Sequence, residues 1–182
     1  MKRIFLTLFM AVAAAITGAA QGQDHDMKDC PMHEKHASEH HSSRNQDANH
    51  EMNMRGDQGM GFAQDKTTHH FLLRKDGGAI QVLANSAGDK TSIAQIQQHF
   101  QHISQAFQSG DFNIPMFVHD QTPPGVSVMI KLKDQIRYRY EQTETGARVV
   151  ISSENADAIE AVHQFLRFQI KEHKTGDSLE EK

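Results

Sequence analysis

The stretch IRYRYEQTETGARVVISS, residues 136–153, decides the fold. Ile136, Tyr138 and Tyr140 alternate with Arg137 and Arg139, the two-residue period of a strand with one buried face. Glu144-Thr145-Gly146 supplies a turn, and the chain resumes as a second strand through Ser153. Next comes NADAIEAVHQFLRFQIKEHKTGD, residues 155–177, where Ile159, Val162, Leu166 and Ile170 recur at helical spacing.

The same order occurs earlier. HHFLLRKDGGAIQVLA, residues 69–84, gives two apolar runs around Asp76-Gly77-Gly78, a hairpin signal. TSIAQIQQHFQHISQAFQSGD, residues 91–111, carries Ile93, Ile96, Phe100, Ile103 and Phe107 on one helical stripe. Thr91 or Ser92 is placed to cap its start and Gly110 to end it. Aligning Gly78 with Gly146, and SGD with TGD, needs a gap of about two residues and implies an internal duplication. The expected fold class is α+β: a duplicated strand-strand-helix unit forming a four-stranded antiparallel sheet with helices on one face. Between the repeats, DFNIPMFVHDQTPPGVSVMIKLKD (111–134) is an apolar loop expected to pack on the domain. It turns at Pro123-Pro124-Gly125, and a short helix is expected from Val126 to Lys133. Arg137, Arg139 and Arg148 share the face away from the helices. Phe165 and Phe168 leave the main stripe of the last helix and are expected to widen its core contact.

Residues 67–177 thus form the domain, with 178–182 a disordered end. Residues 21–66 read differently, with almost no β-branched or large apolar side chain, and are expected to be disordered when free of metal. Residues 1–20 have the layout of a signal peptide. Lys2 and Arg3 precede an apolar run from Ile4 to Ile16, and Gly18 and Ala20 are small residues before the expected cut. The mature chain is then expected in the bacterial periplasm or secreted, with no membrane insertion after cleavage. Losing Lys2 and Arg3 takes the formal charge from −4 to −6, which argues against a nucleic-acid partner. The single cysteine, Cys30, excludes an intrachain disulfide.

The chemistry of the tail lies in its donors. Met27, Cys30 and Met32 are soft ligands suited to Cu(I), and His25, His33, His36, His40 and His41 suit Cu(II), Zn(II) or Ni(II). His50, Met52, Met54 and Met60 continue the series. Mixed thioether and imidazole donors point to copper first, with zinc or nickel behind it. Without paired Cys-x-x-Cys spacing, exchangeable capture fits better than a closed structural site. Within the domain, Met116, His119 and one of His69 or His70 make a candidate second copper site. His99, His102, His163 and His173 are read first as hydrogen-bonded packing residues.

The segments MGFAQDKTTHHFLL (60–73), GDFNIPMFVHDQTPPGV (110–126) and FLRFQIKEHKTGD (165–177) resemble a family of small exported bacterial proteins met near heavy-metal resistance functions. The label aspartate carbamoyltransferase, loosely attached to relatives, has no physical support: the Ser-Thr-Arg-Thr phosphate cradle is missing.

The leading expectation is a periplasmic heavy-metal binding protein that sequesters copper or hands it to an efflux or chaperone protein. The alternatives are an exported enzyme using Thr67, Thr68, His69, His70, His119 and Asp120, or an adaptor domain. Nothing in the sequence opposes a homodimer.

Overall fold

The computed structural model describes residues 50–182. The expected signal segment and the candidate ligands His25, Met27, Cys30, Met32, His33, His36, His40 and His41 lie outside the described residues.

Two hairpins make the sheet. β1 (Thr67–Arg74) pairs with β2 (Gly77–Ala84), and β3 (Ile136–Thr143) pairs with β4 (Gly146–Ser153). β2 and β4 join antiparallel, giving the order β1-β2-β4-β3. The turns are Lys75-Asp76 and Glu144-Thr145, so Gly77 already belongs to its strand. Gly77 pairs with Arg74 and Gly146 with Thr143, each closing its hairpin. Gly77 is therefore the counterpart of Gly146, one residue off the alignment made from the sequence.

Ala147, Val149 and Ile151 point inward from β4 and are fully buried, as alternation demands. On the other face Glu141 pairs with both Arg139 and Arg148, which keeps its carboxyl below the usual range, the Arg148 bond contributing most.

α2 (Lys90–Ser109) and α5 (Ala156–His173) cover the inner face. The cap of α2 is Asp89, whose carboxylate accepts the Ser92 N–H at 3.0 Å; Thr91 and Ser92 fall inside the helix. Gly110, at φ 86°, ends it as expected. Asn155 caps α5 by accepting from the N–H groups of Asp157 and Ala158. The two helices cross over: α2 lies chiefly on β3 and β4, and α5 on β1 and β2. Each repeat thus roofs the hairpin of the other.

The segment between the repeats is more regular than expected. Asn113–His119 forms α3 and Val126–Lys131 forms α4. Pro115 is tolerated because it sits in the first turn of α3, where its missing N–H breaks no helical bond. Pro115, Val118 and His119 pack inward, while Phe117 remains 45 % exposed. Phe107 and Phe112 stack at 4.4 Å, and Phe165 meets both rings edge-on, so Phe165 does widen the core.

Both ends of the domain extend beyond the expected bounds. Residues 50–60 are helical (α1), followed by a 3-10 turn at Gln64–Lys66. Met52 and Phe62 are buried, and the Arg55 guanidinium donates to the Val118 carbonyl at 3.0 Å. At the other end the Lys182 N–H donates to the Leu73 carbonyl at 3.3 Å and the Arg167 side chain to the Leu179 carbonyl at 3.1 Å. Residues 178–182 are exposed and reach β1 and α5 through these two bonds.

Candidate functional site

Under the roof, between β1, α2, α3 and α5, lies a cavity of about 70 Å³ with apolar walls. Alternation sends His69 inward with Phe71 and Leu73, and sends His70 to the opposite face. His99 arrives from α2, His119 from the end of α3, and Gln169 and His173 from the last turns of α5. Met60 adds a thioether from the end of α1.

The histidines are close neighbours. The ring of His173 lies 5.6 Å from that of His69 and 5.1 Å from that of His119, centre to centre. His119 Nε2 stands 2.9 Å from Gln169 Oε1, whereas His119 Nδ1, His69 Nε2 and Gln169 Nε2 are buried with no partner. A buried polar atom without a hydrogen bond costs roughly 1–3 kcal/mol, so three such atoms beside one cavity are satisfied only when water or another ligand enters it.

Electrostatics keeps these rings neutral. Burial pushes His69 down to about 4, helped by the nearby His70, and pushes His99 down to about 4, helped by His102 and His69. Burial likewise takes His173 to about 3, with His69 and His119 adding to it. His119 is lowered by burial, against the opposing bond from Gln169. Among the described residues no Asp, Glu, Lys or Arg lines the cavity. What faces it at neutral pH is imidazole lone pairs, one thioether and one amide.

The structure sorts the predicted residues. His69 and His119 share the cavity. His70 does not; its Nδ1 lies 3.0 Å from Asp177 Oδ1 on the far side of β1. Met116 packs against the core without lining the cavity; of the predicted trio of Met116, His119 and His69 or His70, the cavity brings together His69 and His119, with His173 beside them. His50 and Met54 are exposed on α1 while Met52 faces the core, so the three cannot close on one ion. The proposed acid-base group is not assembled either. Thr67 bonds the Ala63 and Gln64 carbonyls, Thr68 bonds Asn85, and Asp120 is an exposed helix cap at φ 51°. His163 is a packing residue as read, its Nε2 2.9 Å from the Arg74 carbonyl and 3.0 Å from that of Gly77. His102 is exposed.

His99 and His173 are the cavity residues the sequence left in the background. Their one signal was a place bordering the apolar stripe of a helix, combined with a donor-bearing side chain. The three segments behind the family resemblance converge here, contributing His69, His119 and His173 in turn. The chain matches no family model, no curated protein and no solved structure.

Proposed function

We propose that the protein is an exported binder of transition-metal ions, copper before zinc or nickel, which holds the ion or passes it to an efflux or chaperone partner. The supporting observation is the trio of His69, His119 and His173, uncharged at neutral pH and lining one apolar-walled cavity, with His69 Nε2 and His119 Nδ1 unpartnered among the described residues. Neutral imidazole is the form that binds metal. The cavity is also small. An engineered cavity of about 150 Å³ takes benzene, and this one, near 70 Å³, suits an ion with at most a few waters. In this view the donors of residues 21–60 collect ions and the domain adds an ordered site.

Among the described residues no three histidine, cysteine or carboxylate side chains converge on one ion as placed, so loading requires the rings to turn. The test is equilibrium dialysis of the reduced chain, purified from its producing cell, against copper at pH 7.5 and pH 5. Copper is expected to be retained at the higher pH and lost only in part at the lower, where an ordinary imidazole is protonated but the buried rings of His69 and His173 stay neutral. A chain that retains none at pH 7.5 overturns the proposal.

A further inference from the structure

Resting on the metal-binding proposal, we infer that the cavity is built for a monovalent soft ion, Cu(I), held between His173 and its two neighbours His69 and His119, with Met60 at hand. Divalent ions are disfavoured by the same uncharged walls.

Spacing gives the first reason. A ligand nitrogen about 2.0 Å from an ion puts its ring centre about 3 Å from it, so two rings sharing that ion have centres roughly 5–6 Å apart. His173 meets this condition toward His119, at 5.1 Å, and toward His69, at 5.6 Å. His173 is thus the hinge of the site, and a turn of its ring favours one neighbour or the other.

Charge gives the second. Among the described residues the cavity offers no carboxylate or thiolate to neutralise an ion. The idealised cost of moving a charge out of water grows as its square, so a divalent ion costs about four times as much as a monovalent one in the same pocket. Zinc and Cu(II) normally recover that cost from anionic ligands or bound waters, and no anion stands among the described residues that line this cavity.

Donor type gives the third. Imidazole and thioether without oxygen anions is a set that favours Cu(I) over harder ions. The ion enters already reduced, so no electron donor is required of the protein.

The experiment uses the whole chain, as purified from its producing cell and labelled with nitrogen-15, under anaerobic reducing conditions. Cu(I) is supplied from a bathocuproine disulfonate buffer, and Zn(II) at equal concentration serves as the comparison. The imidazole nitrogen signals of His69, His119 and His173 should move with Cu(I) and stay in place with Zn(II), while exposed His102 serves as the control. His173→Gln, which keeps much of the volume, should weaken the site at least a hundredfold and remove one bound equivalent. The wild-type spectra decide the matter even if that variant folds poorly. If Zn(II) moves the three imidazoles equally, or copper binds while they stay still, the inference fails and the metal-binding proposal survives. If the chain binds neither ion, both fail together.

Discussion

Gln169 Oε1 accepts from His119 Nε2 across 2.9 Å, and that bond fixes which nitrogen of His119 is bare. With the proton on Nε2, the lone pair sits on Nδ1, which has no other partner. In histidines that bind metal, a hydrogen bond from the other ring nitrogen is what sets ring orientation and tautomer.

Gln169→Leu therefore removes the orienting bond while keeping the apolar packing. Copper affinity at the cavity should drop about 10–100-fold, the range seen when such supporting groups are lost. Stability should change by only about 1 kcal/mol. Chelator competition paired with urea melts measures both, and an unchanged copper affinity would show that the amide has no part in the site.

The neutral histidines make the fold sensitive to acid. His69, His99 and His173 titrate near 4, 4 and 3 when folded, against 6.5 for an ordinary histidine. Below about 6.5 the unfolded chain takes up more protons than the folded one, so their contribution is intact above that pH and is lost as it falls toward 4. Each ring carries on the order of 3 kcal/mol at the acid end, and because the rings interact the total is less than the sum. Urea midpoints at pH 7.5, 6, 5 and 4 should fall steeply across the last three. A flat profile from 6 to 4 contradicts the buried placement of these rings.

Asp177 ties the C-terminal segment to the edge of β1. Its Oδ2 accepts from the Phe71 N–H at 2.9 Å and the Thr175 hydroxyl at 2.7 Å, and its Oδ1 stands by His70. Asp177→Ala leaves the Phe71 amide unpartnered and should cost roughly 1–3 kcal/mol. Amide exchange at Phe71 should accelerate well beyond that at Val149, deep in the sheet. Equal acceleration at both sites points instead to global loss of stability.

Gly125 and Gly176 both have positive φ, 83° and 75°, but only one has neighbours. A methyl group at Gly125 would run into the backbone carbonyl of Ala161 on α5, whereas at Gly176 it meets open space. Gly125→Ala should cost well over 2 kcal/mol, since backbone strain adds to a collision that pushes α4 off α5. Gly176→Ala should cost about 1–2 kcal/mol, from the strain alone. Comparable melting shifts for the two would refute the close approach.

The fold was legible wherever periodicity was strong. The Ile-Tyr-Tyr alternation of β3 and the Ile/Phe stripe of α2 each admit one interpretation, and both elements formed as expected. α1 was hidden because Gly56 and Gly59 interrupt it. Those glycines let Gln64 and the Phe117 ring approach closely, a contact between segments far apart in the chain. Alternation showed that His69 and His70 part company but not which one turns inward; the pairing of β1 with β2 and its roofing by α5 decides that. His173 lay beyond reach for a related reason: its partners come from β1 and α3, and no spacing within α5 reveals them.

The exchange of roofs between the two repeats governs how the chain comes into being. The first hairpin precedes α3, α4 and the second hairpin in the chain, yet its main cover, α5, follows them all. Until α5 has been made, Phe71 and Leu73 lack the greater part of their roof. The nascent polypeptide therefore cannot mature half by half, since its earliest strands wait for a helix encoded well downstream.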